Sequence, residues 1–283
     1  MKTLRLILLL LTGFLPSVFF GQEGPDPVRV MSFNIRYDNP SDSIYSWDNR
    51  KEQVFRVIRT EKPDIAGLQE VLCSQVKDLR KALPGYRPLG VGREDGKKKG
   101  EYAAILYRKE LFQLVRTSAF WLSETPSVPG SRSWETACTR IVTWAELRDR
   151  RSGRHLFVFN THLDHVSQLA REKSAALILD SIGAIAGAAP VILTGDFNCT
   201  SADKAYRILA GKLDDCLLVA KNVQSFPTTY VGFPADPDRN EVIDHIFVSR
   251  RKNVVVSNYE VITFHEGSLY PSDHLPVETV LDY

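Results

Sequence analysis

Several features that would narrow the interpretation are scarce or absent in this sequence. It has only four cysteines in 283 residues, and their spacing matches none of the usual zinc-binding patterns. No apolar run beyond residue 21 is long enough to cross a membrane. No internal repeat, low-complexity tract or linker rich in serine, proline and glycine divides residues 28–283. These absences predict that residues 22–283 form one undivided domain.

Residues 22–283 also carry no formal net charge. The whole chain has a formal charge of +2, and residues 1–21 contain Lys2 and Arg5 but no acidic residue, so the remainder has a formal charge of 0. A neutral protein lacks the broad positive field that supports tight, salt-sensitive binding to long nucleic acids. A phosphorylated small molecule or a nucleic-acid end is therefore a better candidate partner than a long duplex.

The first 21 residues differ in composition from the rest. Basic residues precede the apolar run 6–11, and further apolar residues follow as far as Phe20. A basic start followed by an apolar core is typical of a secretory signal peptide, and Gly13 and Pro16 interrupt the run too early for a membrane span. We expect residues 1–21 to direct export of the chain, either to the periplasm or out of the cell. An uncleaved anchor is the alternative.

The four cysteines are Cys73, Cys138, Cys199 and Cys216. Disulfides are chemically allowed in an exported protein, but the pairing cannot be read from the sequence. Cys73 and Cys138 lie beside apolar segments, which favours buried thiols. No disulfide is therefore assigned.

Short apolar runs predict strands, and apolar residues spaced by three and four predict helices. The predicted strands are 28–35, 65–68, 102–107, 112–122, 138–147, 155–160, 190–194, 242–248, 254–262 and 275–281, and the predicted helices are 47–61, 73–83 and 166–186. Strands outnumber helices, and helices fall between strands in both halves of the chain. This pattern favours an α/β fold of two packed β-sheets flanked by helices, with functional residues on loops and strand ends at one rim.

Chemically capable side chains stand at the ends of these predicted strands. Asn34 closes the first strand, Glu70 ends the second, and His162, Asp196 and His274 occupy similar positions later in the chain. Carboxylate and amide oxygens suit a divalent cation such as Mg²⁺, an acid can accept a proton from water, and imidazoles can bind phosphoryl oxygens. The set is what water attack on a phosphate ester requires.

Each residue also has a structural interpretation when it is considered alone. Glu70 can cap a loop or form a salt bridge, and Asn34 and Asn198 can be turn residues. Asp196 can cap the helix predicted near 201–209. Asp244, within an apolar strand, can face solvent, or it can be buried against a partner such as the ring of His274 because an unpaired buried carboxylate is costly.

Other residues are candidates for substrate contacts. Arg140 can bind phosphate with a two-pronged guanidinium, although it can also be a surface arginine on a strand. Trp121 and Trp134 can stack on a base or a sugar, and Trp121 can instead belong to the core. The basic loop 92–100 is interpreted as a solvated hairpin turn near the rim.

Six stretches in this order resemble the endonuclease/exonuclease/phosphatase superfamily, which includes apurinic and pancreatic-type nucleases, mRNA deadenylases, inositol-phosphate 5-phosphatases and neutral sphingomyelinases. The matching stretches are Ser32–Arg36, Leu68–Val71, Asn160–Asp164, Gly195–Asn198, Ile243–Ile246 and Ser272–Pro276. The segment Trp121–Pro126 is similar to bacterial members near the deadenylase and phosphodiesterase branch. The resemblance implies a four-layer αββα sandwich of two mixed sheets, with the site at one rim.

The resemblance also implies a divalent cation, Mg²⁺ with Mn²⁺ as the alternative, and in-line attack by water on phosphorus. Glu70 would be the principal metal ligand, with Asn34 and Asp273 assisting. Asp196 would orient or deprotonate the attacking water, and Asn198 would lie beside it on the phosphate.

The same resemblance assigns the remaining roles. His162 and His274 would contact phosphoryl oxygens, with Asp244 behind His274. Glu101 matches a carboxylate behind the first histidine in some nucleases, and Asp164 matches an acid found in many members. Arg140 matches a phosphate-contacting arginine in some members.

The expected function is that of an exported, metal-dependent phosphoesterase acting on phosphodiesters or phosphomonoesters. Nucleotides, nucleic-acid ends and phosphorylated headgroups all remain candidate substrates. The alternative is a catalytically inactive member of the superfamily that binds a phosphorylated ligand or a partner protein. The intact set of acids and histidines argues against this alternative, since a dead site has no need of so many costly polar groups.

Overall fold

The computed structural model describes residues 27–251 and 254–283. The strands are β1 (Val28–Asn34), β2 (Ile65–Val71), β3 (Tyr86–Leu89), β4 (Tyr102–Arg108), β5 (Phe112–Trp121), β6 (Ile141–Asp149), β7 (His155–His162), β8 (Val191–Asp196), β9 (Leu213–Asp215), β10 (Asn222–Gln224), β11 (Asp244–Ser249), β12 (Val255–Val261) and β13 (Val277–Asp282). The helices are α1 (Trp47–Glu61), α2 (Cys73–Ala82), α3 (Gln168–Ala186), α4 (Lys204–Ala210) and α5 (Cys216–Val219), and a 3₁₀ helix spans Pro40–Tyr45.

The strands form two mixed sheets. The seven-stranded sheet has the order β10-β12-β13-β1-β2-β4-β3, and the six-stranded sheet has the order β5-β6-β7-β8-β11-β9. In each sheet one helix connects two adjacent parallel strands, α1 between β1 and β2 and α3 between β7 and β8. Such a crossover brings the carboxyl ends of both strands to the same edge of the sheet.

Three apolar cores separate four layers. Residues such as Val30 and Val158 fill the space between the sheets, whereas the next residues along, Met31 and Phe159, face outward. Helices α1 and α2 cover the outer face of the seven-stranded sheet, and α3 and α4 cover the outer face of the six-stranded sheet. The predicted four-layer αββα sandwich is therefore confirmed.

A polar layer interrupts the core between the sheets just below one rim. The amide of Asn160 accepts from Gln69 Nε2 at 2.7 Å and from Thr194 Oγ1 at 3.0 Å. The same amide donates to the carbonyls of Leu68 and Ala104 at 2.9 and 2.8 Å. Gln69 Nε2 also lies 3.2 Å from Ser32 Oγ. Because side chains alternate along a strand, this layer supports the residues at the four strand ends above it.

The element predictions were accurate for long segments and less so elsewhere. Helix α1 has the predicted bounds, whereas the strand predicted from Cys138 begins at Ile141. The short strands β3, β9 and β10 were not predicted. The predicted signal peptide lies outside the described residues, and within the part of the chain that the structure covers no helix is long and apolar enough to cross a membrane.

Candidate active site

A cavity of about 820 Å³ opens at the rim where β1, β2, β7 and β8 end. Eight of the residues singled out in the sequence line it: Glu70, Glu101, Arg140, His162, Asp196, Asn198, Asp273 and His274. Asn34 and Asp244 are fully buried directly behind these residues. The structure thus gathers residues from most of the chain around one concave surface.

Glu70 owes its position to an irregularity in β2. The pairing with β4 shifts register between Leu68 and Val71, and Glu70 adopts a left-handed backbone with φ of 60°. Regular alternation would place the Glu70 side chain on the outer face with that of Leu68, and bulges of this kind re-aim side chains beside functional sites. The Glu70 carboxylate accepts from Asn34 Nδ2 at 3.0 Å and from the Tyr37 amide at 3.2 Å.

Asn34 serves as a donor at the centre of the site. Its Oδ1 accepts from the Arg36 amide at 3.0 Å, which fixes the side-chain orientation. Its Nδ2 therefore points at the carboxylates, 3.0 Å from Glu70 Oε1 and 2.9 Å from Asp196 Oδ2. Asn34 therefore acts as a donor between the two carboxylates, and its role as an oxygen ligand to a metal stays a prediction.

Asp196 lies at the meeting point of the catalytic candidates. One oxygen of Asp196, one oxygen of Glu70 and one nitrogen of His162 lie within 4.8 Å of one another. Burial raises the pKa of Asp196 to about 7, although the positive charge of His274 opposes this rise. An acid poised near neutral pH can exchange a proton with water.

Asp244 and His274 form a buried pair, as the sequence predicted. Asp244 Oδ2 lies 2.8 Å from His274 Nδ1, and both side chains are buried. Burial alone would lower the pKa of His274, but the charges of Asp244 and Asp196 raise it well above its ordinary value. His274 is therefore a cation in this arrangement, with Nδ1 held by Asp244 and Nε2 3.6 Å from Asp196 Oδ2.

His162 is in the opposite electrostatic state. Burial lowers the pKa of His162 well below its ordinary value, and the nearby charges of Arg140 and Arg93 lower it further. Its Nε2 lies 3.3 Å from Asp196 Oδ2. Its Nδ1 is 3.9 Å from Glu101 Oε2, too far for a direct hydrogen bond, since Glu101 accepts from Arg93 Nη1 at 2.7 Å.

The Asp273 carboxylate lines the same cavity beside the Glu70 carboxylate. Arg36 Nη1 lies 3.6 Å from Asp273 and 3.9 Å from Glu70, and Arg36 binds Asp42 through two hydrogen bonds of 3.0 Å. Burial raises the pKa of Asp273, and the charge of Glu70 contributes to the rise. Asp273 does not belong to the cluster of ligand atoms within 4.8 Å.

The donor set suits a divalent cation. Glu70 and Asp196 converge on one amide nitrogen, and such close carboxylates are stabilised when a cation lies between them. Carboxylate oxygens suit Mg²⁺ or Mn²⁺, whereas the ring nitrogen of His162 is a ligand that Mg²⁺ seldom uses. The two carboxylates therefore fit such an ion, with Asp273 close by.

Asn198 and Asp164 hold the loops around the cavity. Asn198 has a left-handed backbone with φ of 48°, its amide donates to Asp196 Oδ1 at 3.0 Å, and its Nδ2 donates to the Leu163 carbonyl at 3.0 Å. Asp164 accepts from the Ala137 amide at 2.9 Å and from the Ser167 amide at 2.7 Å, and these hydrogen bonds lower its pKa to about 2 despite burial. Asp164 thus joins two loops behind the cavity.

The tryptophans do not line the cavity. Trp121 is 5% exposed and its Nε1 donates to the Arg93 carbonyl at 2.5 Å; its side chain packs with Ala103 and Ile141. Trp134 is half-buried, and its carbonyl accepts from Ser167 Oγ. The prediction that Trp121 stacks on a substrate is therefore wrong, because the indole belongs to the core, and the structure gives Trp134 no place at the cavity.

Two aromatic residues that the sequence analysis missed line the cavity instead. Tyr37 follows β1, and its ring lies 4.7 Å from the Arg36 guanidinium. Tyr230 lies on the loop before β11, with its ring 4.9 Å from that of His274. Proximity to the Ser32–Arg36 motif was the only sequence signal for Tyr37, and Tyr230 had none.

All four cysteines are free thiols. Cys199 and Cys216 are buried, whereas Cys73 and Cys138 are only half-buried. The expectation of buried thiols at Cys73 and Cys138 is therefore wrong, because Cys73 is the first residue of α2 and Cys138 lies in the loop before β6.

The model of the Endonuclease/Exonuclease/phosphatase family matches residues 31–274. The chain belongs to this family. The matched segment contains every residue of the site described above and excludes only the ends of the chain. The family resemblance seen in the six sequence stretches is therefore confirmed.

Solved structures agree with this assignment. An endonuclease/exonuclease/phosphatase from Bacteroides vulgatus is 40% identical, with 91% of this chain and 99% of that chain covered and a TM-score of 0.87. A mannosyl-6-phosphatase from Bacteroides thetaiotaomicron is 36% identical, with 90% and 100% covered and a TM-score of 0.85. The catalytic domain of human Nocturnin with bound sulfate is 21% identical, with 91% and 93% covered and a TM-score of 0.70, a likeness of fold.

Proposed function

We propose that this chain is an exported, divalent-metal-dependent phosphoesterase that hydrolyses small phosphorylated molecules at a terminal phosphate. The observation that carries the proposal is the convergence of Glu70, Asp196 and His162 within 4.8 Å, beside the buried His274–Asp244 pair. Membership of a family of phosphate-ester hydrolases supports the reaction class. Export rests on the composition of residues 1–21 alone.

The electrostatics of the site divide the work among its residues. Glu70, with Asp273 close by, would hold the cation, which when bound neutralises charge on the phosphate. Asp196, with a pKa near neutral, orients the attacking water and accepts its proton. His274 presents a positive charge where negative charge develops on the phosphoryl oxygens, and Asp244 keeps it protonated. His162 lines the cavity together with His274 and is the second imidazole assigned to the phosphoryl oxygens.

The shape of the cavity favours a small substrate. A volume of about 820 Å³ lies within the usual range for small-molecule sites. Tyr37 and Tyr230 on its wall offer flat apolar surfaces on which a sugar or a base can pack. A relative 36% identical over 90% of this chain is a mannosyl-6-phosphatase, which makes sugar monophosphates the first compounds to test.

The test is phosphate release from mannose 6-phosphate, glucose 6-phosphate and p-nitrophenyl phosphate, with bis-p-nitrophenyl phosphate as the diester. Mg²⁺ and Mn²⁺ should each support turnover, and EDTA should abolish it. Asp196→Asn should lower kcat by about 10²–10⁴-fold, the usual effect of losing a general base. Asp180→Asn, an exposed aspartate of α3, is the matched control and should retain full activity.

Three outcomes would contradict the proposal. Undiminished turnover of Asp196→Asn would show that Asp196 is not the base. Undiminished turnover in EDTA would show that the reaction does not need a divalent cation. Silence across all esters with either metal, while phosphorylated ligands still bind, would favour a catalytically inactive binding protein.

A further inference from the structure

The cavity has a cationic half that the proposed reaction does not use. Arg93, Arg140, His165 and Arg171 all line it, as do Glu70 and Asp196 of the acidic cluster. Arg93 is neutralised by Glu101 at 2.7 Å. Arg140 and Arg171 each have buried donors that meet no acceptor among the described residues.

Arg140 is the central residue of this half. Its side chain is 4% exposed, and its Nη2 donates to His165 Nδ1 at 3.0 Å. Its Nε and Nη1 are buried and, among the residues that the structure describes, have no hydrogen-bond partner. A buried guanidinium whose donors lack acceptors is costly, and the repulsion between Arg140 and Arg93 adds to this cost. An anion bound beside Arg140 would offset it.

The nearest carboxylate attracts Arg140 but accepts none of its hydrogen bonds. Asp164 Oδ2 is 3.8 Å from Arg140 Nε, beyond hydrogen-bonding distance. Its two oxygens are already satisfied by donors from the loops that it joins, namely Thr136 Oγ1 and the amides of Ala137, Cys138, Val166 and Ser167. Asp164 is therefore a structural carboxylate.

Two neighbours add further donors. Arg171 Nη1 donates to the Asp164 carbonyl at 2.8 Å, but its Nε is buried without a partner in the described chain. His165 is exposed at the cavity and accepts from Arg140 at Nδ1. Since a guanidinium can only donate, His165 Nδ1 is the acceptor of this bond, and Nε2 carries the ring hydrogen and can donate.

We propose that Arg140, Arg171 and His165 bind a second, non-reacting oxyanion of the substrate, a phosphate or a sulfate. This inference rests on the proposed function and narrows the substrate to phosphate esters that carry another tetrahedral anion. Donors on two guanidiniums and one imidazole suit an anion with several oxygens in three dimensions. The family resemblance assigns His162 and His274 to the reacting phosphate, so the cationic half is available for another group.

Anion binding can be measured without catalysis. Inorganic sulfate is titrated into the full chain by isothermal calorimetry in the presence of EDTA. Without a bound metal ion, the carboxylates of Glu70 and Asp196 repel sulfate, so binding reports on the cationic half. The wild-type protein should bind sulfate saturably, and Arg140→Gln should bind it about tenfold to a hundredfold more weakly. Arg171→Gln should also weaken binding, which keeps the test decisive if Arg140→Gln does not fold.

The matched control is Arg148→Gln, because Arg148 is exposed near the far end of β6, the strand that follows Arg140 directly. It should bind sulfate like the wild-type protein. Absence of saturable binding in the wild-type protein, or equal binding by Arg140→Gln and Arg171→Gln, would overturn the proposal.

Kinetics provide the second comparison, between glucose 6-phosphate and glucose 1,6-bisphosphate. The bisphosphate should have a kcat/KM at least tenfold higher, and Arg140→Gln should remove this advantage while Arg148→Gln keeps it. Equal kcat/KM for both esters in the wild-type protein would refute a second oxyanion. If neither ester is hydrolysed, only the proposed function is contradicted. The calorimetric titration would then show whether the cationic half binds an oxyanion.

Discussion

The polar layer between the sheets provides the sharpest test of how this fold supports its site. Asn160 is fully buried at the centre of that layer and connects the two sheets. It lies on β7 two residues before His162, and its partners Thr194 and Gln69 lie just before Asp196 and Glu70 on β8 and β2. Replacing Asn160 with alanine should therefore affect both stability and catalysis.

The size of the effect follows from the hydrogen bonds that are lost. Asn160 makes four, with distances of 2.7, 3.0, 2.9 and 2.8 Å. Each contributes about 1 kcal/mol net, and partners left unsatisfied in the core add to the loss. Asn160→Ala should therefore lower the free energy of unfolding by about 4 kcal/mol, a large part of the roughly 5–15 kcal/mol of a typical domain.

Urea unfolding followed by circular dichroism measures this loss, and an unchanged m-value verifies that the same transition is compared. Asn222→Ala is the control, because Asn222 is exposed and donates only to the Ser257 carbonyl at 3.2 Å. Gln69→Ala completes a double-mutant cycle, in which the coupling with Asn160 should be about 0.5–3 kcal/mol. A loss below about 1 kcal/mol for Asn160→Ala would refute this view of the layer.

Two further predictions concern groups below the site. A Cβ at Gly67 would lie 2.0 Å from Thr194 Oγ1 and 2.6 Å from Asn160 Oδ1, so Gly67→Ala should destabilise the protein by about 1–3 kcal/mol in urea unfolding, and an unchanged midpoint would contradict this packing. Burial would lower the pKa of His245, but its hydrogen bond to Asp215 raises it above the ordinary value. The protonated ring therefore stabilises the fold fully below about pH 6.5, its unfolded pKa, and this stabilisation is lost as pH rises through the folded pKa. The wild-type protein should lose more stability between pH 6 and 9 than His245→Gln, and equal losses would contradict the assignment.

The sequence was informative about where the site residues lie along the fold. Long apolar periodicity defined α1, and polar residues after apolar runs identified Asn34, His162 and Asp196 as strand-end residues. Because adjacent parallel strands joined by a helix end at one edge, the strand-end positions of His162 and Asp196 bring these two residues together, and the packing of the two sheets places Asn34 beside them. The pairing of Asp244 with His274 was also predictable, since an acid inside an apolar strand needs a partner.

Side-chain direction was less accessible, because it depends on backbone details that composition does not encode. The Glu70 bulge and the choice of Asn34 Nδ2 over Oδ1 both follow from hydrogen bonds formed only in the folded chain. Trp121 was misassigned because half of the residues on a strand face the core, and the sequence did not show which half.

The same reasoning explains why the cationic half of the cavity was mostly missed. Arg140 was a candidate because a guanidinium can bind phosphate in a two-pronged manner, but Arg93 and Arg171 come from a loop and a helix whose approach to Arg140 depends on long-range packing. The pairing of His245 was equally hard to predict, because its partner Asp215 ends β9, a strand of three residues with too little periodicity to identify. Catalytic groups at strand ends can thus be found from local patterns. Residues that distinguish one substrate from another come from loops and helices, and their convergence becomes visible only in the folded structure.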